Sequence, residues 1–128
     1  MGTNEITVTE RGGNVVKYQV VNRQTNAWYP AAGAKYNCFI AGDNPLSEIH
    51  NPSISDGSSI VVVKESYGNA FIPFLVDSYE YVYVIDYRYW DGSIAEFAEK
   101  NGIDDVIFLN NISATRNKSL VNSLNSII

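Results

Sequence analysis

Residues 60–89 read IVVVKESYGNAFIPFLVDSYEYVYVIDYRY, and the reading of this stretch decides the fold. Ile60 to Val63 are consecutive β-branched residues with no polar alternation before Lys64, the pattern of a strand buried on both faces inside a parallel sheet. Glu65-Ser66 ends that run, with Gly68 and Asn69 just behind it. The turn after such a strand is where open α/β sheets place their chemistry. A serine there holds its hydroxyl at the sheet edge, and the first backbone N–H groups of a following helix can face a developing oxyanion. The plainer reading of Ser66 is that it caps that helix.

Working outward, a helix is expected over Tyr67–Ser78 with Phe71, Phe74 and Leu75 toward the sheet, kinked or shortened at Pro73, which has no N–H to donate. Tyr81–Tyr87 reads as the next strand. Ser93 caps a helix through Lys100 in which Ile94, Phe97 and Ala98 share a face, and Gly102 ends it. Val106–Asn110 is a further strand, and Ser113 or Thr115 opens a last helix with Leu120, Leu124 and Ile127 as its apolar stripe. Strands separated by helices predict right-handed crossovers and an α/β fold, with a three-layer, mainly parallel sheet of flavodoxin-like type. Upstream, Ile6–Val20 alternates on either side of Arg11-Gly12-Gly13-Asn14, the signature of a β-hairpin. Asn22–Ala34 reads as a loop, Tyr36–Ala41 as a short strand ended by Gly42-Asp43-Asn44-Pro45, and residues 46–58 as a long connection. The chain is one domain over residues 1–128, a lead-in over 1–35 preceding a strand and helix core over 36–128.

Composition excludes several classes of function. A net charge of -5 and a pI near 4.7 argue against nucleic acid, which needs clustered lysine and arginine to displace counterions. The single cysteine, Cys38, forms no intrachain disulfide, and with no Cys/His cluster neither a metal nor a cofactor is expected. No apolar run approaches 18 residues, so no membrane insertion is expected, and Thr3-Asn4-Glu5 after Met1-Gly2 is no signal peptide. Nine tyrosines with Trp28 and Trp90 offer stacking faces for sugar rings, although each tyrosine is first a candidate for the core.

Lys64, Ser66, Tyr67, Gly68, Asn69, Ala70, Phe71, Pro73, Phe74 and Leu75, followed by Asp86, Arg88 and Tyr89 and preceded by FIAGDNPLSEIHNP, resemble the C-terminal half of the DHHW family. These are SGNH-hydrolase-like proteins related to the O-acetyltransferases of bacterial exopolysaccharides. The resemblance covers roughly residues 36 to 112. It implies an SGNH-like fold, an extracytoplasmic location in the full-length protein, a glycan or acylated polysaccharide as partner, and Ser66 as nucleophile. Two departures bear on activity. The family's aspartate before the serine is Glu65 here, and the D-x-H-W element that supplies acid and base upstream of the serine is absent. A serine hydroxyl needs a base within hydrogen-bond reach. His50, in Glu48-Ile49-His50-Asn51-Pro52, is the sole imidazole in the sequence and so the one candidate, or else a loop histidine.

On the expected topology the loops after three strands gather Ser66, Asp86 with Arg88, and Asn110 with Asn111 at one edge. The resulting site would use Ser66 as nucleophile, its N–H and the side chain of Asn69 or Asn110 as oxyanion donors, and Arg88 to orient a ligand carboxylate or anionic sugar. Alternatively Asp86 and Arg88 pair structurally and Asn110-Asn111 merely ends a strand. The expectation is a serine esterase or O-acyltransferase module, incomplete and inactive as this chain; a non-catalytic carbohydrate-binding or envelope scaffold domain is the competing class. Self-association, or pairing with an N-terminal part that is missing, would cover the sheet edge left open.

Overall fold

A computed structural model describes residues 4–20 and 40–128. Six strands form one sheet: β1 (Asn4–Thr9), β2 (Val15–Val20), β3 (Leu46–His50), β4 (Ser59–Lys64), β5 (Tyr81–Asp86) and β6 (Asp105–Leu109), in the order β2-β1-β3-β5-β4-β6. Helix α1 (Ile94–Asn101) joins β5 to β6, and α2 (Lys118–Asn125) follows β6. The fold is α/β with flanking helices and a leading hairpin, as the sequence predicts. β4 is parallel to both β5 and β6, while β1 pairs antiparallel with β2 and β3, and β3 antiparallel with β5. The sheet is therefore mixed, parallel on the side of β4 and antiparallel on the side of the hairpin.

Every residue of β4 is buried, which is what its unbroken β-branched run requires, because both faces of the strand meet core. Ile60 and Val62 pack with Ile6, Val8, Ile49, Ile72, Val82 and Val84 on one face. Val61 and Val63 pack with Ile85, Tyr87, Ile94 and Ile127 on the other, where Phe97, Leu120 and Leu124 of the two helices close over them.

Three expected elements differ. Residues 46–50 are not connection but β3, with the alternation of a half-buried strand in which Ser47 and Ile49 point inward. Leu46-Ser47-Glu48-Ile49-His50 carries little intrinsic strand signal, and pairing with β1 and β5 on both sides overrides it. The helix expected over Tyr67–Ser78 is two 3-10 turns, Ser66–Ala70 and Ile72–Phe74, the second with Pro73 in its opening positions. The last helix starts at Lys118, because Asn117 rather than Ser113 or Thr115 caps it by accepting from the N–H groups of Ser119 and Leu120 at 3.0 and 3.2 Å. Residues 112–116 are a separate 3-10 turn. Helix α1 is as expected, with Ser93 at its start and Gly102 in the left-handed region at φ 62° at its end. Cys38, Trp28, the loop over Asn22–Ala34 and all but the last two residues of Tyr36–Ala41 lie outside the described residues.

Candidate active site

Because β4, β5 and β6 run the same way, their C-terminal ends open on one edge of the sheet, and the turns that follow carry Ser66, Arg88 and Asn110-Asn111. The ladder from β5 through β3 reverses direction twice to reach β1, so the β1–β2 turn rises at this same edge.

The edge is built on a buried ionic cluster. Lys64 ends β4 inside the fold with no solvent exposure, and its Nζ lies 3.0 Å from Oδ2 of Asp86, the paired residue on β5, and 3.4 Å from Oδ1 of Asp43. Arg88 grips Asp86 with two donors, Nε to Oδ1 at 2.9 Å and Nη2 to Oδ2 at 2.6 Å, and also reaches Oδ2 of Asp43 at 3.0 Å. Two cations thus meet two carboxylates, which is the condition under which charges tolerate removal from water. Partial burial pushes the Asp43 carboxyl up, but a hydrogen bond from Asn69 and the charges of Lys64 and Arg88 outweigh it and hold the group below its ordinary range. The hydrogen bond to Asp86 raises the pKa of Arg88, which keeps its charge throughout. Sequence reasoning missed Lys64 and Asp43 as members of one cluster. The signal was a lysine closing a fully apolar strand, a position with no route to water except through a partner.

Above the cluster sits the turn of Ser66. Its geometry is set by Glu65, whose carboxylate is buried and accepts the N–H of Tyr67 at 3.1 Å and the N–H of Asn111 at 2.8 Å. Glu65, not Ser66, is therefore the cap of this turn. By holding Asn111 it also ties the loop after β6 to the loop after β4. The Oγ of Ser66 is 3.5 Å from Oε2 of Glu65. Beside the turn opens a cleft of about 370 Å³ lined by Glu65, Tyr67, Gly68, Phe71, Asn110 and Asn111. Burial raises the pKa of the Tyr87 hydroxyl, and the carboxylate of Glu65 adds to the shift.

Ser66 and Asn110 follow parallel strands at one edge of the sheet, and the other expected residues are distributed differently. Asn110 lines the cleft, and its Oδ1 is buried without a hydrogen-bond partner. Asn69 is wholly buried and donates Nδ2 to Asp43 at 2.8 Å, which places it beneath the site as a support for the carboxylate rather than in the cleft as an oxyanion donor. Arg88 is held by two carboxylates, so its guanidinium is engaged within the fold and the structural reading of the Asp86–Arg88 pair holds. His50 pairs with Tyr81 at the start of β5, whereas Lys64 pairs with Asp86 at its end. Five strand steps, about 16 Å, separate those positions. The imidazole stacks on Tyr81 with centroids 4.8 Å apart and approaches Oε1 of Glu80 at 3.7 Å. His50 is therefore out of reach of Ser66 and is no base for it. Among the described residues no three His, Cys, Asp or Glu side chains converge as metal ligands.

Comparison with known proteins places this geometry in context. The family model described as DHHW protein matches residues 1–85. The fold is similar to a DHHW family protein from Eubacterium siraeum DSM 15702, with a TM-score of 0.74 and 28% identity over 98% of this chain and 40% of that one. It is also similar to Bacillus cereus PatB1, with a TM-score of 0.67 and 23% identity over 88% of this chain and 36% of that one. A structure of PatB1 with a sulfonyl adduct gives a TM-score of 0.66 and 21% identity over 86% of this chain and 38% of that one. The chain thus spans about two fifths of the length of these structures. No curated protein matches it.

Proposed function

The chain belongs to the DHHW family, and from that premise we propose that it is the nucleophile-bearing part of a serine acyl-transfer module, an esterase or O-acetyltransferase acting on acylated glycans outside the cytoplasm. The observation that carries the reading is the placement of Ser66, at the C-terminal end of the innermost parallel strand, on a turn fixed by a buried carboxylate and beside an open cleft. Similarity of fold to a protein that takes a sulfonyl adduct supports it, since such an adduct forms on a nucleophilic side chain.

In the proposed reaction Ser66 Oγ bonds to the acyl carbon and its proton passes to a base, while the acyl–oxygen bond to the sugar breaks and the sugar oxygen takes a proton. Water, or a second sugar hydroxyl, then removes the acyl group from the serine. In this reading the oxyanion donor is the side-chain amide of Asn110, which lines the cleft beside the Ser66 turn. Among the described residues no imidazole stands within reach of Ser66, because His50 is at the far end of β5. That same distance favours the second reading, a glycan-binding module without catalysis.

Acylation by an aryl acetate at raised pH, where hydroxide replaces the missing base, separates the two. Peptide mapping should find acetyl concentrated on Ser66 over the exposed Ser113 and Ser119, and no catalytic turnover. Equal modification of all three serines sinks the enzymatic reading and leaves the binding module.

A further inference from the structure

Arg88, the arginine expected to meet a ligand carboxylate, is consumed by Asp86 and Asp43. A different arginine stands at the same rim. Arg11, in the β1–β2 turn, lays its guanidinium over the ring of Tyr89, 3.7 Å from the centroid, while Arg88 lies 5.1 Å from that centroid. We propose that Arg11 and Tyr89, with Trp90 beside them, form a recognition site for a carboxylate-bearing sugar of the glycan, so that the substrate class is a uronate-containing polysaccharide. This inference rests on the glycan reading above and names its polymer.

Four observations carry it. The central carbon of the Arg11 guanidinium sits over the Tyr89 ring at 3.7 Å, and a guanidinium carries its N–H donors at its periphery, where a carboxylate can meet them two at a time. Among the described residues Arg11 makes no ion pair, whereas Lys64 and Arg88 are matched by Asp43 and Asp86. The platform is rigid. The N–H groups of Tyr89 and Trp90 both donate to the carbonyl of Asp86, at 3.0 and 3.1 Å, and Trp90 meets Phe97 edge to face at 5.9 Å. Gly92 lies so close to the indole that a Cβ there would fall 2.4 Å from Cζ2, so the sequence reserves that space for the ring. Tyr89 is 38% exposed, and the turn that carries Arg11 rises at the edge where the strands β4 and β5 end. Aromatic faces next to a guanidinium supply what a charged sugar needs, a flat apolar surface and a fork of donors.

The chain's net charge of -5 makes the test discriminating, because an acidic protein does not attract a polyanion without a local cationic site. The chain is titrated with polygalacturonate and with carboxyl-reduced polygalacturonate of the same length, following tryptophan fluorescence. Wild type should prefer the charged polymer at least tenfold, Arg11→Gln should lose that preference while binding the neutral polymer unchanged, and Arg11→Lys should recover part of it. A role for Arg11 confined to pinning the hairpin would lower both affinities together and overturns the assignment, as does equal affinity of wild type for the two polymers. If Ser66 acylates selectively yet neither polymer binds, this inference fails while the acyl-transfer reading stands.

Discussion

The ammonium of Lys64 lies 3.0 Å from the carboxylate of Asp86, with both side chains wholly excluded from solvent on adjacent parallel strands. The two residues are register partners, so the ion pair is a rung of the sheet and not a bridge laid over it. Replacing Lys64 by Met leaves Asp86 with Arg88 alone and should cost about 3 kcal/mol, the lower end for a broken buried pair. Asp86→Ala should cost more, since it leaves a fully buried ammonium and a guanidinium to share Asp43 alone. Urea denaturation of both variants checks the order.

Asp43 gives the fold an acid sensitivity. Its folded pKa lies below the unfolded value of 3.8, so the unfolded chain binds the proton more readily. The stability it contributes is complete above the unfolded value and is lost as pH falls through that value toward the folded one. Thermal melts between pH 6 and pH 2 should show wild type losing stability below about pH 4 more steeply than Asp43→Asn, which starts less stable and has no such proton to take up.

Gly68→Ala tests how tightly the Ser66 turn is seated on the cluster. A Cβ at this position would stand 2.6 Å from Cβ and 3.0 Å from Cγ of Lys64. Those atoms belong to the fixed stem of a buried side chain, so the turn itself must move. A loss of about 1–3 kcal/mol is expected in denaturation, along with the loss of preferential acylation at Ser66.

His50→Ala should leave acylation of Ser66 unchanged within about twofold, consistent with a base that must act within hydrogen-bond reach. The cost comes from the stack on Tyr81, about 1 kcal/mol for an aromatic pair, and from the approach to Glu80. A variant that loses Ser66 reactivity with its stability intact would overturn the placement of His50 outside the site.

Among the described residues the outer edge of β6 carries no paired strand, and its Val106 and Phe108 are 42% and 45% exposed. Such an edge templates pairing with another chain. Sedimentation at high concentration should show self-association that Phe108→Lys removes, and a monodisperse wild-type monomer counts against it.

Much of this architecture was legible in the residues. Ile60–Lys64 announced a doubly buried strand, Arg11-Gly12-Gly13-Asn14 the hairpin, and Ser93 with Gly102 the bounds of a helix, because in each case a local signal and the global fold agree. The strand Leu46–His50 was not legible, since its order comes from two neighbours rather than from its own composition. The 3-10 turns after Ser66 were half legible: Pro73 warned of a break, but Glu65 taking the cap from Ser66 depends on where Asn111 sits, 46 residues away. The site followed the same division. The gathering at one edge of the loops that carry Ser66 and Asn110 comes from strand direction, which the helices between the strands reveal. The engagement of Arg88 and Asn69 by Asp43 depends on a long-range contact that spacing does not encode.

The central position of β4 carries a consequence for the chain as it is synthesised. Both partners of this strand lie after it in sequence, and the second, β6, ends 45 residues beyond Lys64. At ribosomal speeds that interval is about 2–9 s, during which Ile-Val-Val-Val emerges before its neighbours, a window of high β propensity and no charge. Lys64 closes that window. The side chain that later disappears into an ion pair is, in the nascent chain, the charged gatekeeper that keeps this segment from finding a strand in another molecule.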